Sequence, residues 1–429
     1  MTAGFHTLGC KVNQYDTQIM KELLLSSGYQ IVGEEMQPDV FIVNSCSVTG
    51  KSDSKTRQLL SKLRKKLPHS ILILTGCMPQ AFPAETALLD TADIILSNAS
   101  NDEIVSLIDE FLRTKTKIIQ IKSHEKEKIN NKITNFDDRT KAFLKIEDGC
   151  NRFCSYCIIP YARGRVRSKP LSEIFTEINE LSLKGYKEVV LIGINLSAYG
   201  TDMGYTLADA VETACSVDGI RRVRLGSIEP DQLNDTIIER MAAENKLCPQ
   251  FHLSLQSGCD KTLRDMNRHY DTAFYDTLVQ KLREKFKDAS ITTDIMVGFP
   301  GETEEDFNES LGFVKKVGFA RAHIFPYSKR NGTKAADFKN QVQDSVKNRR
   351  SKEMIELTNR SKTDFLKNQL HKTYPVLIEN NKKPGQFEGY TPNYTHVKIQ
   401  SDTNLSGSIV NVFVTAVDGD SLTGEKKDG

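Results

Sequence analysis

Up to about residue 114 the chain alternates short apolar runs with stretches of helical character. The runs at 5–8, 29–32, 40–43, 71–74 and 94–96 have strand length, and 17–25, 54–67 and 103–112 read as helices, the first with Ile19, Met20, Leu23 and Leu24 on one face. Alternation of this kind predicts a doubly wound α/β domain, a parallel sheet with helices on both faces. A second alternation begins near residue 140 and runs through six units, with strands predicted near 143–146, 188–194, 222–228, 251–256, 291–297 and 320–326. Its first helix starts at Ser168 and Pro170, carries a stripe of Leu171, Ile174, Phe175, Ile178 and Leu181, and stops at Gly185. Six such units fit an open, partial (β/α)6 barrel with its active face at the carboxyl ends of the strands. A polar helical stretch covers 337–371, with Lys347, Arg349, Arg350, Lys352, Arg360 and Lys362 giving it basic character. Short strands at 376–378, 387–390, 396–399 and 409–414 then suggest a small β-barrel. The predicted organisation is therefore 1–114, a linker at 115–139, 140–371, and 372–429. The linker holds a candidate strand at 118–121 and a charged run at 123–128 that reads as a solvated loop.

Composition narrows the class. The longest apolar runs are strand-sized, which predicts no membrane span, and the first residues lack a signal-peptide stretch. Net charge is only +2, so any nucleic-acid surface has to be local. In the final module Lys372, Lys382, Lys383, Lys398, Lys426 and Lys427 are balanced by acids, so RNA contact there would rest on shape and on stacking by Tyr390 or Tyr394. Nine cysteines without an export signal predict a reducing, cytoplasmic setting, where spaced cysteines act as metal ligands or catalysts rather than disulfides.

Six of those cysteines carry the chemistry. Cys150, Cys154 and Cys157 stand at Cys-x3-Cys-x2-Cys spacing after an apolar run. Three thiolates on one tight loop can hold three irons of a cubic cluster and leave the fourth open to a small molecule. A structural zinc normally has four ligands, and no nearby His or Cys supplies the fourth. Cys10, Cys46 and Cys77 each follow a predicted strand, where ligand sites of open parallel sheets lie. A lone Cys there would read as small buried filler; three in equivalent positions point to a second three-ligand site. Cys215 reads as helix core, and Cys248 and Cys259 as loop thiols. At the barrel mouth, Gly193 and Asn195, Ser227 and Glu229, Gln256, the Gly298–Thr303 segment and Tyr327 form a polar ring of strand ends. The basic run containing Arg163, Arg165 and Arg167 either clamps phosphates beside the site or is a solvated loop.

The Cys150–Cys157 motif is similar to the radical S-adenosylmethionine (SAM) signature, and the three parts together resemble the methylthiotransferase family of radical-SAM enzymes, including its C-terminal TRAM module. The resemblance implies two 4Fe–4S clusters, one on Cys150, Cys154 and Cys157 that binds SAM and an auxiliary one on Cys10, Cys46 and Cys77. It also implies SAM contacts from Gly193, Asn195, Ser227, Glu229 and Gln256, and RNA contacts from Arg163, Arg165 and Arg167. The stretches Gly9-Cys10-Lys11-Val12-Asn13-Gln14-Tyr15, Cys46-Ser47-Val48-Thr49 and Gln256-Ser257-Gly258-Cys259-Asp260 resemble the branch acting on N6-threonylcarbamoyladenosine beside the tRNA anticodon. The implied reaction replaces the C2 hydrogen of that base with a methylthio group. SAM methylates a cluster-bound sulfur, and a 5′-deoxyadenosyl radical abstracts the hydrogen. Two other substrates, isopentenyladenosine tRNA and a ribosomal-protein Asp, stay open, as does a non-catalytic iron–sulfur RNA-binding protein. The implied partners are a tRNA anticodon stem-loop and a flavodoxin- or ferredoxin-type electron donor, with the chain acting as a monomer.

Overall fold

The computed structural model describes residues 1–47, 49–124, 132–135, 140–379 and 385–427. The end of the predicted charged loop (125–128), Val48, Lys382 and Lys383 lie outside the described residues.

The N-terminal module is a six-stranded, all-parallel sheet in the order Gln30–Ile31, Thr2–Thr7, Val40–Ser45, Ile71–Gly76, Ile94–Leu96, Ile118–Gln120. Both central strands are buried along their whole length, as a sheet covered on two faces requires. One difference from the sequence reading is that Ile118–Gln120 is no isolated strand of a linker: it pairs in parallel with Ile94–Leu96 and extends the sheet past residue 114. Helices Lys11–Ser26 and Gly50–Lys66 also begin earlier than their apolar periodicity suggests, because their first turns carry polar residues that serve the site.

The central module forms the predicted open array. Strands Lys141–Lys145, Glu188–Ile192 and Arg222–Leu225 make one parallel sheet; Ser227–Ile228, Gln250–Leu253, Ser290–Val297 and Arg321–Pro326 make the next. The third predicted strand is split at Gly226, whose N–H bonds the Leu191 carbonyl at 2.8 Å and keeps the two pieces in one curved wall. Helix Asp344–Lys367 packs against the last strand. Its basic residues are largely neutralised: Arg350 is buried against Glu302 at 2.8 Å, Arg349 pairs with Glu304 at 2.7 Å and Glu353 at 2.8 Å, and Lys362 pairs with Asp420 at 2.5 Å.

The C-terminal module is a closed barrel of five strands, Thr373–Ile378, Gln386–Tyr390, His396–Gln400, Ser421–Lys426 and Ile409–Asp418. The strand Ser421–Lys426 is missing from the sequence reading. Its only large apolar residue is Leu422, and Gly424 lies where a Cβ would meet the Phe413 carbonyl oxygen at 2.5 Å, so hydrophobic alternation does not reveal it.

The barrel docks on the amino ends of the central strands through buried charge. Arg224 reaches Glu188 at 3.0 Å and the Pro392 carbonyl at 2.9 Å, and its guanidinium covers the Tyr394 ring at 4.4 Å. Arg222 reaches Glu188 at 3.5 Å and the carbonyls of Tyr390 and Pro375. Lys141 pairs with Glu379 at 2.9 Å and sits over the stacked Tyr390 and Tyr394 rings. These tyrosines therefore brace the interface.

Burial raises the Glu188 carboxyl, but Arg224 and Arg222 outweigh it and hold the group below its ordinary value of 4.5. A carboxyl depressed in the folded state stabilises above its unfolded pKa, and that stabilisation is lost as pH falls through the folded value. Glu188→Ala, which strands two buried guanidiniums, is expected to cost roughly 3–5 kcal/mol. Urea denaturation at pH 7 should show a lower midpoint. The gap between variant and wild type should shrink as pH falls through the lowered folded value of Glu188, where the wild-type carboxyl is protonated as well.

Candidate active site

Three strand ends of the N-terminal sheet gather Cys10, Cys46 and Cys77. Cys10 caps helix Lys11–Ser26, Cys46 follows strand Val40–Ser45, and Cys77 opens the short helix Cys77–Ala81. Glycines allow the loops to meet. Gly9 has φ +109°, and a Cβ there would fall 2.8 Å from Cys46 Cβ. Gly76 has φ +99°, and a Cβ there would fall 2.3 Å from the Ser45 carbonyl oxygen. Any L side chain would push Cys46 away from its two companions.

Fully buried Asn13 is the hub of this site. Its Nδ2 donates to the carbonyls of Leu8 (2.8 Å) and Ser45 (2.9 Å), and its Oδ1 lies 3.9 Å from Cys10 Sγ and 3.8 Å from Cys77 Sγ. The same Oδ1 accepts from Arg163 Nη2 at 2.6 Å. Burial pushes the Cys77 thiol up to about 12, and the positive charge of Arg163 works against that rise. A ligating cysteine must be a thiolate, so a fixed cation beside the thiol and two of the three cysteines at helix amino ends favour metal binding.

The second triad lies on the loop leaving strand Lys141–Lys145. Gly149 (φ +91°) and Phe153 (φ +50°) turn the chain back on itself. The Cys150 N–H is anchored on the Gly164 carbonyl and the Cys157 N–H on the Cys154 carbonyl, both at 3.0 Å. The sulfurs receive donors: the Arg152 N–H lies 3.4 Å from Cys150 Sγ and Arg268 Nη1 3.3 Å from Cys154 Sγ. Burial raises Cys150 to about 11 and Cys157 to about 12. Donors at sulfur tune the potential of an iron–sulfur centre where one is bound, and Arg152 and Arg268 stand where they would do so. Among the described residues no three His, Cys, Asp or Glu close around a single ion; ligands of a cubic cluster bind separate irons and stand wider apart.

The expected SAM contacts divide. Glu147 is fully buried; its Oε2 accepts from the Asn195 N–H at 2.8 Å, while its Oε1 has no partner. Asn195 Nδ2 lies 3.9 Å from Cys150 Sγ, and its Oδ1 is also unpartnered. Gly193 is the neighbour that lets Glu147 in, since a Cβ would meet Glu147 Oε2 at 2.5 Å. Two acceptors are thus left open next to the loop. Glu229 is not open: it forms an ion pair with Arg268 and holds that guanidinium against Cys154. Gln256 has φ +66° and lines a cavity of about 190 Å³ together with Tyr156, Cys157, Thr49 and Met296. Ser227 lines a larger cavity of about 600 Å³ that begins at Gly9 and Cys10 and runs along the inner wall of the barrel to Tyr394. Asp294 and Phe325 belong to both linings, so Cys10 of one triad and Cys157 of the other line adjoining spaces.

The three arginines expected to meet phosphate also divide. Arg163 is 1% exposed, bonded to Asp16 at 2.7 Å and Asp148 at 3.3 Å, and unable to reach RNA. Arg167 is half-buried and donates to the Arg163 and Arg165 carbonyls, both at 3.0 Å. Arg165 is exposed, with its guanidinium 4.6 Å from the Phe153 ring, beside exposed Tyr161. Sequence reasoning treated Arg163 as surface because a basic residue in a loop usually is. Its partner Asp16 lies far off along the chain and Asp148 stands on the other side of the cysteine loop, and nothing in the local pattern marks either. Asn13, Glu147 and Arg268 were missed for the same reason.

A parallel sheet presenting three thiols, an open barrel presenting three more and adjoining cavities between them define an enzyme of the radical-SAM class. The radical SAM superfamily pattern matches residues 144–314, the uncharacterized protein family UPF0004 pattern residues 2–97, and the TRAM domain pattern residues 367–427. The threonylcarbamoyladenosine tRNA methylthiotransferase MtaB of Bacillus subtilis is 36% identical over 96% of this chain and 93% of its own. A tRNA-2-methylthio-N(6)-dimethylallyladenosine synthase of Clostridium botulinum (strain Loch Maree) is 37% identical over 98% and 96%. The radical SAM methyltransferase TsrM of Kitasatospora setae shares the fold, with TM-score 0.56 at 11% identity over 76% of this chain and 72% of that one. The chain belongs to the radical-SAM methylthiotransferase family, whose members use SAM and 4Fe–4S clusters. Among the described residues, no helix is long and apolar enough to cross a membrane.

Arg163→Met removes the cation shared by Asp16, Asp148 and Asn13. The variant is expected to lose roughly 3–5 kcal/mol. After anaerobic reconstitution it should also hold less iron than wild type, with the deficit at the Cys10, Cys46 and Cys77 site. Iron and sulfide analysis in a Cys150/Cys154/Cys157 triple-Ala background isolates that site. Full iron loading there would show that Arg163 is dispensable to it.

Proposed function

We propose that the protein transfers a methylthio group to C2 of N6-threonylcarbamoyladenosine next to the anticodon of tRNA, in the cytoplasm. The observation that carries this reading is that one cysteine of each triad, Cys10 and Cys157, lines one of two adjoining cavities that share Asp294 and Phe325. Relatives named for threonylcarbamoyladenosine and for dimethylallyladenosine have nearly equal identity, so overall similarity does not choose the base. The Gly9–Tyr15 stretch favours the first.

In this reading Cys150, Cys154 and Cys157 hold one cluster and Cys10, Cys46 and Cys77 the other. The unpartnered acceptors Asn195 Oδ1 and Glu147 Oε1 suit the amino group of SAM, with Gly193, Ser227 and Gln256 lining its surroundings. The bound clusters and SAM supply what no acid–base pair can: removal of hydrogen from an unactivated aromatic carbon and delivery of sulfur and methyl in its place. The chain's own part is positioning. Arg163 and Asn13 fix the first sheet edge against the barrel mouth, Arg268 and Arg152 hold donors on the sulfurs, and the barrel wall keeps water from the reacting carbon. Arg165, Phe153 and Tyr161 offer an exposed cation and rings suited to an anticodon loop. The chain acts as a monomer, reduced by a flavodoxin- or ferredoxin-type donor.

Two measurements test the reading. Nucleoside mass spectrometry of tRNA from a deletion strain should show loss of 2-methylthio-N6-threonylcarbamoyladenosine with its unmethylthiolated precursor retained; an unchanged level excludes this substrate. In vitro, Cys10→Ala with Cys46→Ala should still form 5′-deoxyadenosine from SAM and reductant but no methylthiolated nucleoside. Loss of both activities in a folded protein would contradict separate roles for the two triads.

A further inference from the structure

The larger cavity is lined by two cations that differ from the fully buried ones. Each fully buried cation among the described residues has a carboxylate partner: Lys145 with Asp16, Arg163 with Asp16 and Asp148, Lys169 with Glu177, Arg222 and Arg224 with Glu188, Arg330 with Asp53, and Arg350 with Glu302. Two cations in the cavity lining, half-buried Lys11 and exposed Arg321, have no carboxylate within ion-pair distance among the described residues. Lys11 is half-buried, its ammonium 5.8 Å from the Phe143 ring centroid, a weak substitute for a counter-ion. Among the described residues the only carboxylate in the lining is Asp294, and it already faces His252 Nε2 at 3.2 Å. His252 in turn has Nδ1 3.0 Å from Thr292 Oγ1, and His323 stands beside it at 6.2 Å between ring centroids. The space of about 600 Å³ thus combines buried apolar lining at Val12, Ile192 and Leu225 with two cations lacking a carboxylate partner and several hydrogen-bonding groups. Its size suits a small molecule or a modified nucleoside.

Unmatched cations in a half-closed space favour an anion brought by the ligand. We propose that Lys11 and Arg321 bind the carboxylate on the N6 substituent of the substrate base and so select an amino-acid-bearing adenosine over one with a hydrocarbon substituent. The inference rests on the reading of the protein as an adenosine methylthiotransferase and adds the residues that choose between bases. Lys11 follows Cys10 directly, so the carboxylate is gripped beside the sheet edge that carries the first triad. Arg321 opens the last barrel strand and approaches from the far wall. Two-point attachment holds the purine by its substituent rather than by its edge, leaving C2 free. A neutral substituent would cover Lys11 without compensating its charge, so rejection comes from a residue that also recognises the carboxylate.

The test uses full-length, cluster-reconstituted protein and three synthetic anticodon stem-loops. One carries N6-threonylcarbamoyladenosine, one the same base with the carboxylate converted to a primary amide, and one isopentenyladenosine. Dissociation constants are read by fluorescence anisotropy, and products by nucleoside mass spectrometry. Wild type is expected to bind the carboxylate loop roughly 10- to 100-fold tighter than the amide loop. Arg321→Gln and Lys11→Met should each bring the carboxylate loop toward the amide value and leave amide binding unchanged. Iron content confirms that Lys11→Met keeps its clusters, and Arg321→Gln, remote from the cysteines, keeps the test decisive if it does not. Equal wild-type affinity for the carboxylate and amide loops overturns the inference, even where methylthiolated threonylcarbamoyladenosine forms and the proposed activity stands. Preferential methylthiolation of the isopentenyl loop overturns both.

Discussion

The protein depends on one buried charge network. Asp16, Arg163, Lys145 and Asp148 meet where the first helix of the N-terminal sheet touches the barrel, with separations of 2.6 to 3.3 Å. Bringing four charges out of water is costly, and closing them on one another offsets that cost only while the geometry is kept. The network therefore resists sliding of one module on the other far more than an apolar patch would. It is also addressed to the site. Arg163 lies on the turn leaving the Cys157 loop, yet its guanidinium reaches Asn13, which touches the sulfurs of Cys10 and Cys77. A shift of the barrel mouth would be felt at the sheet edge, and the two triads keep a fixed relation. Tyr15, bonded to Glu177 at 2.9 Å, and Arg330, bonded to Asp53 at 2.8 Å and Ser47 at 2.8 Å, repeat the arrangement on either side.

The same device fixes the third module. Glu188 sits at the start of a central strand and neutralises both Arg222 and Arg224, whose remaining donors hold carbonyls of the small barrel. Tyr394 is at once a member of that joint and the floor of the larger cavity. The barrel thus closes the cavity from below. This gives the C-terminal module a part in shaping the substrate space, besides the RNA contact that its strand pattern suggests.

Much of the architecture was legible because it is written in local periodicity. The runs ending at Cys10, Cys46 and Cys77 are apolar and separated by helical stretches, and that alternation forces a parallel sheet with its three strand ends on one edge. The Cys150–Cys157 spacing is likewise self-contained. What could not be read depends on partners distant in the chain. Arg163, Arg165 and Arg167 look alike in sequence; only the approach of Asp16 and Asp148 makes the first a buried strut while Arg165 stays in solvent. Glu229 looks like a free acceptor at a strand end, but Arg268 occupies it. The fifth strand of the small barrel failed for a different reason: Ser421–Lys426 has too few apolar residues to alternate, and its pairing with Ile409–Asp418 is what makes it a strand.

Pairing also orders the chemistry. A cation with its own carboxylate is structurally satisfied and holds the fold, as at Arg163, Arg224 and Arg350. A cation without one is held in place by the fold but keeps its electrostatic demand, and that demand can be met only by what enters from outside. In this chain the first kind surrounds the site and the second kind lines it. Arg268 shows the intermediate case: Glu229 balances it on one side, and its other face is turned to Cys154, where it strengthens a sulfur ligand without adding net charge to the space beside it. The neutralised shell fixes the walls of the cavity, and Lys11 and Arg321 line it with their charges left to a ligand.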